Sequence, residues 1–250
     1  DGTVRAWGNN NVGQCDIPNN LKCIDVVPTI SLSVVLLEDN TVKVYGYDSM
    51  GTFGPNGQIL DKKFKAISFT ISTPVARFVG ILLDGTIFND VDSGSWTTPA
   101  NIGKCKQISS NTRMTVALQE NGTVFVWGDT TDADGADLSD IPSDLGLCSH
   151  VHISRTNVIA IKENGKVVVW GSNRYNQLDI PVNLINCSYI SSGIHSVIAK
   201  QTNNVSVAWG YNNPKVYFNA ISIGGGTNIT QIDTLFQELT DAGIHVCLSA

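Results

Sequence analysis

The sequence predicts an all-β chain of small repeated sheets arranged as a ring, a closed β-propeller of six blades. Three observations predict it: six segments share one pattern, they recur at a near-constant step, and the two chain ends complete each other. The segments are 1–8 (Asp-Gly-Thr-Val-Arg-Ala-Trp-Gly), 39–46, 84–89, 121–128, 164–171 and 203–210, the third degenerate and two residues shorter. With Trp7, Tyr45, Phe88, Trp127, Trp170 and Trp209 as markers, the steps are 38, 43, 39, 43 and 39 residues. A step between about 20 and 50 residues marks stacked repeats. Joined, the ends read Leu-Ser-Ala-Asp-Gly-Thr-Val, against Leu-Gln-Glu-Asn-Gly-Thr-Val at 118–124. The last strand is thus expected to supply the missing half of the first unit. The step from Trp209 round to Trp7 is 48 residues, and the six steps make up all 250. A ring closed by its N- and C-terminal strands leaves no sheet edge for another chain, so residues 1–250 are expected to form one propeller domain.

Each unit carries the same parts in the same order. An apolar run such as Val158–Ile161 is followed by an Asn-Gly or Asp-Gly pair and a β-branched run ending in the aromatic. Asn-Gly tolerates positive φ at both central positions of a tight hairpin turn, so each unit is expected to hold a hairpin. After the aromatic-Gly pair comes a polar loop, as in 9–14 and 173–177, then Ile-Pro at 17–18, 141–142 and 180–181, with Thr98-Pro99 as a variant. Proline cannot donate a ladder hydrogen bond and belongs to a loop or outer edge. A further apolar strand follows, such as Cys187–Ser191, giving three or four strands per unit. Nothing before residue 230 reads as a helix. Residues 229–243 could form a short one, but their place in the repeat favours strand.

Composition narrows the role. The chain has 16 basic and 22 acidic residues, a net charge of −6 and 42% hydrophobic residues, too apolar and too weakly charged for disorder. Its acidity argues against a sequence-blind nucleic-acid binder, which needs a basic face to displace counterions. No run approaches about 18 apolar residues, so no membrane span is expected. No leader is visible. The chain begins at Asp1, so a leader would already be gone, or the chain is part of something longer.

The motif Gly-Thr-Val-x-x-Trp-Gly-x-Asn-x-x-Gly-Gln, then Ile-Pro, then Ile-Ser-x-Gly-x-His-Ser before an apolar strand, resembles the regulator-of-chromosome-condensation repeat. The clearest copies are 2–18 and 164–199, with 190–196 (Ile-Ser-Ser-Gly-Ile-His-Ser) nearly complete. The units of about 40 residues are most similar to the compact bacterial branch that includes the propeller-type β-lactamase inhibitory protein. That family is usually seven-bladed, whereas this chain supplies six units. The resemblance implies a protein-binding ring, its best-known member being a guanine-nucleotide exchange factor that also binds nucleosomes. The inhibitory relative makes contacts through aromatic positions before its apolar strands; those positions are not aromatic here, so that activity is not carried over.

The recurring aromatics are expected to pack blade on blade rather than form a ligand cage. Cys23, Cys105, Cys148 and Cys187 fall at one unit position, with Ala66 and roughly Glu238 in the other two units. Adjacent sheets stack about 10 Å apart, beyond the roughly 7 Å that a disulfide spans, so these cysteines are expected to be buried and reduced. Cys15 and Cys247 are unmatched. A reducing intracellular compartment, or a virus particle, is favoured over secretion, and abundant Asn, Ile and Lys over Arg hints at an AT-rich genome. The four Asn-x-Ser/Thr sequons, at Asn121, Asn186, Asn204 and Asn228, are what chance gives in an Asn-rich chain.

Catalysis finds little footing, and the chain is expected not to be an enzyme. His195 and His245 occupy the repeat's own His position; His150 and His152 complete the set. No catalytic or phosphate-binding motif is present. Asp129, Asp132, Asp134 and Asp137 loosely resemble a calcium loop but lack its closing Glu. Gly224–Gly226 reads as a flexible loop. No cofactor or metal is expected, and function should lie in loops that differ between units. One candidate face carries the loops after the aromatic-Gly pair, with Tyr47, Arg174, Tyr175 and Tyr211; the other carries the loops entering the apolar strand, with Arg113, Met114, Arg155 and His195. Arg, Tyr and Met anchor interfaces. The expected function is non-enzymatic binding of another protein, as a scaffold or assembly subunit. The alternatives are nucleotide exchange on a small GTPase and carbohydrate binding through Tyr47, Tyr175 and Tyr211.

Overall fold

In the computed structural model the described residues are 2–29, 31–47, 62–72, 75–90, 94–131, 135–203, 205–211 and 246–249. Within them the chain forms seventeen strands and one 3₁₀ turn, Gly94–Trp96. β1 (Val4–Trp7) pairs antiparallel with β17 (Val246–Ser249), Val4 opposite Ser249 and Trp7 opposite Val246. The remaining strands form five three-stranded antiparallel sheets, each taken in chain order. They are β2 (Cys23–Pro28), β3 (Leu32–Leu37) and β4 (Val42–Gly46); β5 (Phe64–Ser72), β6 (Val75–Leu82) and β7 (Ile87–Asn89); β8 (Cys105–Ser110), β9 (Met114–Gln119) and β10 (Val124–Gly128); β11 (Cys148–Ile153), β12 (Asn157–Lys162) and β13 (Val167–Gly171); and β14 (Cys187–Ser192), β15 (Ser196–Gln201) and β16 (Ser206–Gly210). The segment 229–243, read as strand, lies outside the described residues, as do Gly224–Gly226, Asn228 and Glu238.

The middle strands explain the apolar runs. In β3, β9 and β12 five consecutive residues are buried, because a strand with a sheet against each face cannot alternate. Each apolar cluster joins neighbouring sheets. Val34 and Leu36 meet Phe64 and Phe78, Val79 and Ile81 meet Cys105 and Ala117, and Met114 and Val116 meet Cys148 and Val158. Ile159 and Ile161 meet Cys187 and Val197 in turn. First strands contact first strands of the next sheet and are linked by side chains: Ser68 Oγ accepts from Ser110 N at 2.8 Å, and Gln107 Oε1 from Val151 N at 3.0 Å.

The hairpin turns form where expected but differently. Only the second residue of each pair is left-handed, at Asn40, Gly85, Gly122 and Gly165. The first residue instead accepts from the amide two positions on, with Asp39, Asp84, Asn121 and Asn164 bonded to residues 41, 86, 123 and 166 at 2.9–3.1 Å. An Asx side chain closes the turn, so one positive φ suffices. The Thr41 hydroxyl and amide hold the Asp39 carboxyl below its usual range, and the Thr86 amide and hydroxyl do the same for Asp84.

Register corrects two assignments. Each first strand bulges after its first residue, between Cys23 and Asp25, Phe64 and Ala66, Cys105 and Gln107, Cys148 and His150, and Cys187 and Tyr189. Phe64, not Ala66, therefore stands at the cysteine position. The larger ring fits because Gly80 stands where other sheets carry Val35, Ala117, Ala160 and Ala199; a Cβ at Gly80 would run into the Phe64 ring. Likewise Phe88 lies opposite Gly80, in register with Phe125, and packs edge-on to Phe64 at 5.8 Å. The marker position of that unit is Asp90, whose amide donates to Phe78 O. Trp127, Trp170, Trp209 and Tyr45 do pack between sheets. Trp170 Nε1 donates to Leu138 O at 2.9 Å and Trp209 Nε1 to Gln177 O at 2.8 Å, each tying a sheet to the preceding unit's loop.

The four repeat-position cysteines are buried at the heads of their strands, and Cys105, Cys148 and Cys187 are free thiols. Burial pushes the Cys105 thiol up to about 11, which makes it inert.

Candidate functional site

The two expected faces are one face. In an antiparallel pair the start of one strand lies beside the end of its partner, so the loop entering each middle strand adjoins the loop after each aromatic-Gly pair. Tyr47 N donates to Ser31 O, Asp129 N to Arg113 O, Ser172 N to Thr156 O and Tyr211 N to His195 O, all at 2.8–3.0 Å. The intervening Gly46, Gly128, Gly171 and Gly210 are left-handed, and a Cβ on any of them would run into that same carbonyl. The Asx hairpin turns occupy the opposite end of the sheets.

On this loop side two loops share a frame. In residues 8–18, Asn10 Oδ1 accepts from Cys15 N and Asn10 Nδ2 donates to Asp16, while buried Gln14 accepts from Val12 N. In 171–181, Asn173 Oδ1 accepts from Leu178 N, Asn173 Nδ2 donates to Asp179, and buried Gln177 accepts from Tyr175 N. Gly13 and Asn176 take the left-handed position in each. The frames lift Asn11-Val12 in one loop and Arg174-Tyr175 in the other.

The second tip belongs to a cluster. The Tyr175 ring lies 4.2 Å from His195 and 4.9 Å, edge-on, from Tyr211, and the Arg174 guanidinium lies 5.6 Å from the Tyr175 ring. Tyr175 comes from the loop after β13, His195 from the turn into β15 and Tyr211 from the end of β16, so the cluster bridges two sheets. Four of the eight candidate contact residues are thereby brought together. Tyr47 occupies the place of Tyr211 beside the first loop, but Val12 and Ser31 stand in place of Tyr175 and His195. Tyr47 is 61% exposed against 38% for Tyr211.

Arg113 is also on the loop side and is engaged by Asp129, through Nε at 3.1 Å and Nη2 at 2.7 Å. Arg155 is exposed in the turn between β11 and β12. Met114 departs from expectation: it is the first residue of β9, fully buried in the core shared with β11–β13, and is not available for contact. Sequence reasoning missed Trp96, the one tryptophan outside the marker positions. Its ring is covered by the Arg77 guanidinium at 3.4 Å. Asp129 and Asp137 hold Arg113 and Ser139 rather than a common point; Asp132 and Asp134 lie outside the described residues. Among the described residues no group of three or more His, Cys, Asp or Glu could hold a metal ion, and no helix is long and apolar enough to cross a membrane.

Solved structures place the chain among propeller-type folds. It is similar to the entire ectodomain of the Physcomitrella patens receptor kinase CR4, with a TM-score of 0.67 and 16% identity over 89% of this chain and 60% of that one. Human WBSCR16 follows with 0.59 and 17% over 79% and 64%. The CRINKLY WD40 ectodomain of the Arabidopsis thaliana receptor kinase ACR4 gives 0.58 and 17% over 82% and 70%. The chain thus spans less than two thirds of the first two. At these identities the likeness is one of fold. No protein-family model matches the chain, and no curated protein matches it.

Proposed function

We propose that this chain is a closed six-bladed propeller of regulator-of-chromosome-condensation-like repeats that binds another protein through its loop side, without catalysis and without nucleic acid. Pairing of β1 with β17 supports the closure, and six sheets in chain order support the blade number. The observation that carries the binding reading is the Arg174–Tyr175–His195–Tyr211 cluster. The repeat frame requires none of these side chains, since residues 8–18 build the same loop without Arg or Tyr at the tip. Rigid aromatic rings with an adjacent arginine are the anchors that carry most interface energy. The test is capture by the tagged chain, quantified against Arg174→Glu and Tyr175→Ala. The reading expects one or more proteins retained in stoichiometric amount by the unaltered chain and lost from both variants. Retention equal across all three would refute it, and a glycan-array signal that depends on Tyr175 would replace it with carbohydrate binding.

A further inference from the structure

The repeat itself provides a control for every position, and its departures converge on one place. Between the loop-side ends of the β5–β7 and β8–β10 sheets lies a cavity of about 450 Å³ lined by Arg77, Trp96, Thr112, Arg113, Asp129 and neighbouring residues. Arg77 stands where the other sheets carry Leu32, Met114, Asn157 and Ser196. Arg113 stands where they carry Ser31, Ala76, Thr156 and His195. Trp96 stands where they carry Cys15, Ser139 and Leu178, and Asp90 where they carry the marker aromatic. The fold is thus built elsewhere without either arginine.

Both guanidiniums are already oriented. The Arg77 guanidinium carbon lies 3.4 Å from the centre of the Trp96 ring, with Nη1 donating to Thr112 O at 2.9 Å. Arg113 is held by Asp129 through Nε and Nη2, with both side chains more than 40% exposed. Stacking and a fixed hydrogen bond remove most of the rotamer freedom a ligand would otherwise have to freeze. Charge is segregated too. Of the chain's five arginines, Arg77, Arg113, Arg155 and Arg174 are on the loop side, while the described lysines lie at or next to the hairpin end. On a chain of net charge −6, this concentrates on one side the cation suited to planar bidentate acceptors.

We infer that this cavity is a receptor for a carboxylate side chain on an acidic segment of the protein partner, with Arg77 as its floor and Arg113 as its rim. The inference rests on the protein-binding reading of the loop side. A carboxylate is favoured over a phosphate because Asp129 and Asp90 already sit beside the arginines. A monoanion needs one guanidinium edge, whereas a phosphate dianion meets about twice the repulsion from the two aspartates.

The test needs no natural partner and so fails separately from the capture experiment. The purified chain is titrated with hexaglutamate, hexaglutamine and a phosphoserine hexapeptide, followed by tryptophan fluorescence. Saturable binding of hexaglutamate alone is expected, weakened roughly tenfold or more by Arg113→Gln and by Arg77→Gln and unchanged by Lys166→Gln, which removes a cation at the opposite, hairpin end. Arg113→Gln alters an exposed side chain and keeps the test valid should Arg77→Gln unfold. Absence of saturable hexaglutamate binding, equal binding of hexaglutamine, tighter binding of the phosphopeptide, or indifference to Arg113→Gln would each overturn the assignment.

Discussion

Loops 8–18 and 171–181 are near copies in backbone and near opposites in surface. Both are closed by an Asn, a buried Gln, an Asp and a left-handed residue. One ends in Asn11-Val12 beside a Tyr47 that meets no other ring among the described residues, the other in Arg174-Tyr175 packed against His195 and Tyr211. The comparison separates what the repeat needs from what it carries: the frame is architecture, the tip is free to specialise.

The largest expected effects break what lies under the loops. Trp209 packs between sheets and donates to the Gln177 carbonyl, so Trp209→Ala should cost about 3–5 kcal/mol in chemical denaturation. Tyr45, its counterpart under loop 8–18, has a buried hydroxyl without a partner, so Tyr45→Phe should leave stability unchanged or slightly raise it. Next come the frames. Gln14→Ala and Gln177→Ala each strip a buried amide from a tip backbone N–H and should cost about 1–3 kcal/mol apiece; a large difference between them would show that the loops are not equivalent.

A pH experiment sharpens the comparison by separating the scaffold from both loops. Burial raises the Asp25 pKa to about 6. The folded state thus disfavours its ionised form, and the penalty is absent below about pH 3.8, grows as pH rises, and is complete above about pH 6. Asp25→Asn should raise stability at pH 7 by up to about 3 kcal/mol and leave it nearly unchanged near pH 3.5, read from melts at both values. Smallest in stability is the exchange of tips. Arg174→Asn with Tyr175→Val should shift stability by less than about 0.5 kcal/mol, the ordinary range for surface changes. Val12→Tyr with Ser31→His should reduce the exposure of Tyr47, visible as slower iodination of that ring.

Much of this was legible in the sequence, and the failures have physical causes. Spacing of the aromatics and the Asn-Gly pairs located the sheets, and the terminal strands pair as the joined ends implied. Phe88 was misread because an aromatic in the right neighbourhood is not an aromatic in register; the strand's bonds place Asp90 there. Phe64 was passed over for Ala66 because a side chain much larger than cysteine fits only through the compensating Gly80, which stands on the next strand of the same sheet. Met114 looked like a loop residue because the turn ends one position earlier. The cluster's members were each visible as Arg, Tyr or His, but their convergence depends on which sheets are neighbours. That the two loop sets share a side follows from antiparallel pairing alone.

The most direct test of the account is the affinity of the captured partner for three forms of the chain, measured by calorimetry. The exchange Arg174→Asn/Tyr175→Val should weaken binding tenfold or more, roughly the loss of one or two anchor side chains, while Asn11→Ala/Val12→Ala should leave it within about twofold. Equal loss in both variants, or none in either, would contradict the claim that the specialised tip, and not the shared frame, makes the interface.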